Sequence, residues 1–413
     1  MDSSLKTQMR NKIISIYAGW LIDGSGDGVQ SKMRIGLENG TIQSIRKMTA
    51  TALNSTKPEM PDLDLSGCTL LPGLIDCHVH LAMSPPARRN PSADKAAEGP
   101  GRFRGRILKH LNQLLARGVM AVRDGGDPNN SVLLFKANPG TDNHPVHLCV
   151  AGKARHRPGR YGHLIGCALS PDRTLAETIL EEKKGVDHIK IVNSGLNSLS
   201  CFAKETEPQF DSAELKAAVR VARQCGLKTM VHANGKLPVK IAVDAGCDSI
   251  EHGFFMGVEN LYRIADRGAT WVPTAYTMKA LGDQMKRKRV DTAVVQKNLE
   301  HQIEQIQMAR EIGVRIALGT DAGSAGVMHG QSVIEEMRIF LDAGYPIEKI
   351  VWCATHNGAL LMSLPQVGQL KENMPATFIA VKGDPSQLPE SLNQIKMIFY
   401  EGNEININTY SVK

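Results

Sequence analysis

The sequence predicts an α/β fold, a (β/α)8 TIM barrel joined to a small β-sandwich module that the N- and C-terminal segments build together. Between residues 71 and 364, short apolar runs alternate eight times with longer stretches of helical periodicity. Residues 1–70 and 365–413 instead hold short β-prone runs broken by Gly, Asn and Asp. The chain has 413 residues, which suits one barrel of about 250 residues with a satellite. A doubly wound open sheet is the alternative, but it would not need eight repeats.

The β module is predicted first from its N-terminal runs. An Asn-Gly pair at 39–40 lies between two β-prone runs in LENGTIQSI, a strong hairpin signal. Near the other end, ATFIAVKG (376–383) and QIKMIFYEG (394–402) return to short β runs. We therefore expect the chain to come back to this module and complete it.

The barrel elements follow in order. Eight short apolar runs are the strand candidates: Leu70–Ile75, Val119–Arg123, His147–Val150, His188–Val192, Lys228–Val231, Ser249–Ile250, Thr270–Pro273 and Arg315–Leu318. Helical segments lie between them; one has Asp211 as its predicted N-cap and Gly226 as its stop. Residues 84–102, rich in Pro and Gly, follow the first strand and are predicted to form a mobile active-site loop.

Charge and composition exclude several classes of protein. The net charge of +7 is spread over the whole chain, and no recognition-helix or zinc-finger pattern is present, so no nucleic-acid partner is expected. No run of about 18 apolar residues predicts a membrane span, and the N-terminus has no secretory signal pattern. We expect a cytoplasmic protein that acts on a small-molecule substrate.

Residue types that bind metals occur at the ends of predicted strands, where barrel enzymes place their active sites. His78 and His80 are two residues apart in an extended segment, so both point to one face. Lys190 is a charge inside an apolar strand, which is costly without a partner or a modification. Strands five, six and eight end in His232, His252 and Asp321. Each signal alone is weak; their combination predicts a metal site.

The motifs around these residues resemble the amidohydrolase superfamily of metal-dependent hydrolases. The matching segments are LPGLIDCHVHL (71–81), HIKIVNSG (188–195), VHANG (231–235), IEHG (250–253), LGTDAG (318–323), residues 329–362 and V-x-G-D-P (381–385). Within it, the chain is most similar to the binuclear Xaa-Pro dipeptidases and Xaa-Arg or Xaa-Lys carboxypeptidases. The resemblance also implies a homo-oligomer, as in many relatives.

The resemblance implies a role for each matching residue. His78, His80 and Asp321 would bind one divalent metal, and His232 and His252 a second. Lys190 would be carboxylated by CO2 to an N6-carboxylysine that bridges the two metals, for which Zn is the best-suited ion, although Mn, Co and Fe are also compatible. A bridging hydroxide would attack the substrate carbonyl, with Asp321 as general base and then acid. The implied reaction is hydrolysis of a C–N bond in an amide, peptide, carbamate or urea.

Departures from the family pattern concern the substrate. Asn234 replaces a histidine that faces the substrate in many relatives, and the strand-3 loop keeps only the Gly-His pair that ends at His163. That loop, residues 153–163, carries four cations; it is either a solvated basic loop or a site for a substrate carboxylate. The predicted substrate contacts are His163, which is also a catalytic candidate, Tyr161, Asn234, Arg155 and Tyr276.

Two other functions stay open at this point. A mononuclear deaminase or a cyclic-amide hydrolase similar to imidazolonepropionase would use the same fold. Deaminases, however, place a Glu where this chain has Gly235, and they tend to lack the strand-4 lysine. A catalytically silent scaffold is the other alternative, and six filled ligand positions argue against it.

Overall fold

We describe the chain from a computed structural model that covers residues 13–48, 60–84, 100–138, 144–406 and 410. The strands are β1 (Ile13–Leu21), β2 (Gln30–Glu38), β3 (Thr41–Lys47), β4 (Leu63–Pro72), β5 (Leu74–Val79), β6 (Val119–Asp124), β7 (His147–Val150), β8 (Ala154–His156), β9 (Gly166–Ala168), β10 (His188–Val192), β11 (Lys228–Ala233), β12 (Ser249–His252), β13 (Thr270–Val272), β14 (Phe378–Lys382), β15 (Ile395–Tyr400) and β16 (Asn403–Ile405).

The α-helices in the same residues are α1 (Pro100–Leu115), α2 (Ser131–Ala137), α3 (Leu175–Glu182), α4 (Ser212–Gln224), α5 (Lys236–Ala245), α6 (Val258–Arg267), α7 (Tyr276–Arg287), α8 (Ala293–Ile312), α9 (Gln331–Asp342), α10 (Ile347–Cys353) and α11 (His356–Met362). Two compact units contain these elements. We call residues 1–75, 115–120 and 346–413 the β module, and residues 76–114 and 121–345 the α/β unit. The boundaries predicted at residues 70 and 364 stay predictions.

The β module contains one seven-stranded sheet, in the order β16-β15-β14-β4-β1-β2-β3. Strands from both ends of the chain share it, because β14 pairs antiparallel with β4. The predicted Asn-Gly turn joins β2 to β3: Asn39 and Gly40 have φ of 53° and 80°, as a tight hairpin requires. Participation of both termini is confirmed, and the second layer of a sandwich stays a prediction.

Alternating side chains of this sheet form an apolar core. Ile16 and Leu65 are fully buried, and the rings of Phe378 and Phe399 stack at 4.8 Å between centroids. Such stacking adds to the hydrophobic gain from burying the two rings. Burial alternates with a period of two along most of β1 and β2, as in strands with one face on a core.

The α/β unit is built on parallel strands separated by helices. One sheet has the order β5-β6-β7 and the other β13-β12-β11-β10-β8-β9. Residues 315–318, the eighth strand candidate, connect the two: Trp271 N donates to Arg315 O and Cys77 N to Leu318 O, both at 2.9 Å. The α/β class and its parallel sheets are confirmed, and closure of a complete barrel stays a prediction.

Helix α4 begins and ends as the sequence predicts. Asp211 is its N-cap and accepts a hydrogen bond from Glu214 N, and Gly226, just beyond the helix, has φ of 72°. The strand-3 loop differs from the prediction, because residues 154–156 and 166–168 form the short parallel pair β8 and β9. Three-residue strands are too short to give a periodic signal.

Two further predictions concern loops and membranes. The predicted active-site loop at 84–102 lies largely outside the described residues, and its last residues, from Pro100, belong to α1. No helix in the described ranges combines the length and apolar character that crossing a membrane requires.

Candidate active site

Three predicted ligands meet at the carboxyl end of β5. His78 and His80 are 1% and 3% exposed and extend to the same side of the chain. Asp321, in the turn after residues 315–318, places Oδ1 at 3.2 Å from His80 Nε2 and 3.5 Å from His78 Nε2. One atom from each residue lies within 4.8 Å of the other two, an arrangement that can hold a metal ion.

The other three predicted ligands lie beside this group. Lys190 on β10 is 1% exposed, and its Nζ is 3.4 Å from His78 Nε2. The ring of His252 is 5.0 Å from that of His78 and 4.5 Å from that of His232, between centroids. Strand register causes this convergence, since Val192 pairs with His232 and Ala233 with His252. The structure thus brings together all six residues that the sequence singled out.

Each of the four histidines uses one ring nitrogen to contact the surrounding protein. Two contact side chains: His78 Nδ1 is 2.8 Å from Glu251 Oε2, and His252 Nδ1 is 2.6 Å from Thr274 Oγ1. Two contact backbone carbonyls: His80 Nδ1 lies 3.2 Å from Gly126 O, and His232 Nε2 lies 3.1 Å from Gly195 O. Metal-binding histidines are held in this way, which fixes the ring and leaves the second nitrogen for the ion.

A buried ion pair holds His78, and sequence reasoning missed its central residue. Glu251 is fully buried; its Oε1 accepts from Arg123 Nη2 at 2.7 Å and from Ser249 Oγ at 2.5 Å. Arg123 also donates from Nε to Cys77 O at 2.8 Å, so it reaches this network rather than pairing with the neighbouring Asp124. The available signal was that Glu251, a charged residue, lies inside β12, a short strand whose four residues are all buried.

Burial and neighbouring charges set the protonation of these groups. Burial and the charge of Lys190 lower the pKa of His78 to about 4, so its ring is neutral near pH 7. Burial lowers the pKa of Lys190 to about 8, which increases the neutral amine that reaction with CO2 needs. Burial opposes the charge of Glu251, but Arg123 and the bond to His78 outweigh it and hold its pKa far below the usual range.

Three non-glycine residues of the site have left-handed backbone: His252 (φ 68°), Thr274 (φ 48°) and Asp321 (φ 60°). This region is unfavourable for residues with a Cβ, above all for β-branched threonine. Such strain persists only where surrounding contacts enforce it, and it concentrates at functional sites. The backbone therefore supports the location that the side chains indicate.

The predicted substrate contacts divide into two groups. Tyr161 lies beside the ligands, with its ring 5.2 Å from that of His232. Asn234 is also near, but its amide is bonded to Phe254 N (3.0 Å) and Gly195 O (3.4 Å). Tyr276 is the first residue of α7, and residues 273–275 separate it from β13.

The other two predicted contacts, Arg155 and His163, have no hydrogen bond or ion pair with the candidate ligands in the described residues. The guanidinium of Arg155 forms an ion pair with Glu182 on α3, so its charge is already engaged. His163 has an exposed side chain in the segment between β8 and β9. Two further cations of this loop are also engaged, since Arg157 pairs with Glu214 and Arg160 donates to Glu207 O.

A parallel α/β fold with histidines and an aspartate clustered at its strand ends is typical of metal-dependent hydrolases. The chain belongs to the amidohydrolase family, whose model matches residues 69–410, and it is an enzyme of the metal-dependent hydrolases that this family comprises.

Known proteins similar to the chain include two enzymes. A crystal structure of a Xaa-Pro dipeptidase with bound methionine in its active site has a TM-score of 0.78 at 27% identity, covering 96% of this chain and all of the other. The ochratoxinase of Aspergillus niger is 25% identical over 416 residues, 91% of this chain and 82% of its own length. An uncharacterized protein of Mycobacterium tuberculosis is 23% identical over 84% of this chain and 88% of its own length.

Proposed function

We propose that the protein is a binuclear metal-dependent hydrolase that cleaves a C–N bond in a small molecule such as a dipeptide or an N-acyl amino acid. One observation carries the proposal. Four buried histidines surround Lys190 and Asp321, and each of them has one ring nitrogen fixed by another group. Neutral imidazoles with two anionic groups are donors that suit Zn.

Six residues would hold the two metals. His78, His80 and Asp321 would hold the first, and His232 and His252 the second. Lys190, carboxylated on Nζ, would be a ligand shared by both. Bound there, the two ions would polarise the substrate carbonyl and lower the pKa of water.

Asp321 is the proton carrier in this proposal. Burial opposes its charge, but the hydrogen bond and charges of nearby histidines outweigh this effect, so its pKa stays far below the usual range. Ser324 Oγ donates to Oδ2 at 2.8 Å and fixes the carboxylate. Asp321 takes a proton from the attacking water and delivers it to the leaving nitrogen.

Two partly buried side chains, Tyr161 and Met83, support an amino-acid-derived substrate. Tyr161 and Met83 pack against Ala154, Ile165 and Val192 beside the ligand group, and the similar Xaa-Pro dipeptidase has methionine in its active site. Tyr161 is the substrate contact best supported by its position. Roles for His163, Asn234, Tyr276 and Arg155 stay predictions, as do the cytoplasmic location and the homo-oligomer.

The decisive experiment measures metal content per chain and intact native mass on protein purified without chelator. We expect two metals and a mass excess of one CO2, which Lys190→Ala abolishes. Xaa-Pro dipeptides, N-acyl amino acids and carbamates are then assayed as substrates, with Asp321→Asn as the inactive control. One metal with no adduct, also after addition of Zn and bicarbonate, contradicts the binuclear site and favours a mononuclear hydrolase or deaminase.

A further inference from the structure

Helix α9 carries a buried carboxylate that the proposed mechanism does not use. Glu336 is fully buried. Its Oε1 accepts a hydrogen bond from Ala275 N at 2.9 Å, and its Oε2 accepts one from Tyr276 N at 2.7 Å. These amides lie at the start of α7, 60 residues away in sequence. One side chain therefore clamps two consecutive backbone groups.

This clamp is costly to maintain. In the described residues no ion pair joins Glu336, and burial raises its pKa to about 8, although both amide bonds favour the ionised form and oppose that rise. Glutamine has the same size, but it offers only one acceptor oxygen. Two anchored amides thus require the two oxygens of a carboxyl group.

The clamped amides directly follow the strained Thr274. This threonine is fully buried, and its φ of 48° is unfavourable for a β-branched residue. Anchoring Ala275 and Tyr276 on its C-terminal side prevents the backbone from relaxing to a common conformation. In this conformation Thr274 Oγ1 lies 2.6 Å from His252 Nδ1.

The hydroxyl of Thr274 in turn fixes the orientation of the His252 ring. A neutral histidine that binds a metal through Nε2 carries its proton on Nδ1, and Thr274 Oγ1 lies where it can accept a hydrogen bond from that N–H group. His252 itself has φ of 68°, so its own backbone is also strained. The contact between Thr274 and His252 therefore depends on surrounding groups that hold both residues in unfavourable backbone conformations.

We propose that Glu336 is a positioning residue for the second metal: through Ala275 and Tyr276 it holds Thr274 in the conformation that orients His252. The inference rests on the proposed function for the role of His252. The contacts that carry it, from Glu336 to His252, do not depend on the identity of the metal.

The test compares Glu336→Gln with Asp248→Asn. Asp248 is the matched control, because its carboxylate also holds a backbone amide, Thr229 N at 2.8 Å, beside the first residues of β11. Zn affinity is measured by competition with a chelator. We expect Glu336→Gln to weaken the second Zn by roughly 10–100-fold, to lower kcat more than KM, and to regain activity in excess Zn. Asp248→Asn should keep wild-type Zn affinity.

A second readout needs no metal. In histidine-labelled metal-free protein, 15N NMR should detect the Nδ1 proton of His252 in wild type and in Asp248→Asn, and its loss or faster exchange in Glu336→Gln. If the Gln variant does not fold, Glu336→Asp replaces it in the test. Its shorter side chain cannot reach both amides, so it should also weaken the Nδ1 signal of His252.

The outcomes separate this inference from the proposed function. Variants at Glu336 that lose stability yet keep wild-type Zn affinity and the Nδ1 signal would show a structural role alone and overturn the inference. A wild-type protein that binds a single metal contradicts the binuclear proposal. In that case an Nδ1 signal that depends on Glu336 still supports the positioning role, and one that does not overturns it.

Discussion

The core of the β module and the candidate site both consist of buried side chains, but different interactions stabilise them. The core cluster of the module's sheet is apolar and includes Ile16, Leu65 and Phe378. At the site, Lys190, Glu251 and Glu336 are buried to a similar degree. Apolar side chains gain free energy from burial itself, whereas buried charges are tolerated only with partners. A substitution in the module should therefore lower stability by leaving a cavity. A substitution at the site should act by removing a hydrogen-bond or ion-pair partner from a buried polar group.

The largest expected effect is at Glu251, where one carboxylate serves two partners. Glu251→Gln leaves Arg123 buried without a countercharge and weakens the support of His78. We expect the free energy of unfolding to fall by about 3–5 kcal/mol and metal affinity to fall by roughly 10–100-fold. Denaturant unfolding and chelator competition measure the two quantities.

Ser249→Ala is the control for this prediction. It removes one hydrogen bond from the same carboxylate but keeps both charges, so it should cost only about 1 kcal/mol. Metal affinity unchanged in Glu251→Gln would refute the claim that this network supports the site.

A cavity in the module should cost similar stability but leave the metal site unaffected. Phe378→Ala removes a ring that is 1% exposed and stacked on Phe399, which should lower the free energy of unfolding by about 3–5 kcal/mol. Metal content and kcat of the folded enzyme should not change, because only volume is lost. Phe378→Leu should cost less than half as much, since it fills most of the space. A loss of metal in the folded Ala variant would break the comparison.

The last prediction concerns the response of the metal-free protein to mild acid. Burial lowers the pKa of His78 to about 4 and of His232 to about 3, from 6.5 in the unfolded chain. Between pH 6.5 and 4 the unfolded state binds more protons, so stability falls as pH falls, by about 1.4 kcal/mol per pH unit for each histidine. His80 opposes this trend, because Asp321 outweighs its burial and raises its pKa.

Hydrogen exchange at pH 7, 6 and 5 can follow the two units separately. The α/β unit should lose protection as the pH falls, and saturating Zn should reduce the loss. The β module holds a single histidine, His356, and should respond less. Equal losses in both units, or a gain in the α/β unit, would contradict the assignment of these pKa shifts to the site.

The clustering of the six candidate ligands could be predicted because strand ends and side-chain alternation are local properties. His78 and His80 share a face whatever lies around them. The supporting carboxylates could not be predicted in the same way. Glu335 and Glu336 are adjacent in sequence, yet Glu336 alone is fully buried, with its oxygens on amides 60 residues away. Only the packing of α9 distinguishes the two.

The strand-3 loop illustrates the same limit for substrate contacts. Its cations suggested a site for a substrate carboxylate, but Arg155 and Arg157 are paired with Glu182 and Glu214. Both glutamates lie in helices that follow the loop, and nothing in the local sequence relates them to these arginines. A run of cations in the sequence shows only that the charges are present. Recognition of a substrate carboxylate depends on which of them are not already paired within the protein.

The position of β14 between β4 and β15 also has a consequence for synthesis. Thr69 beside this pairing donates to Gly383 O, 314 residues later. At about 5–20 residues per second, a ribosome needs roughly 15–60 s to make the intervening chain. During that time one edge of β4 has no neighbour, and open strand edges are sites of aggregation. The yield of the enzyme in a cell is therefore set partly by what protects this edge on the ribosome.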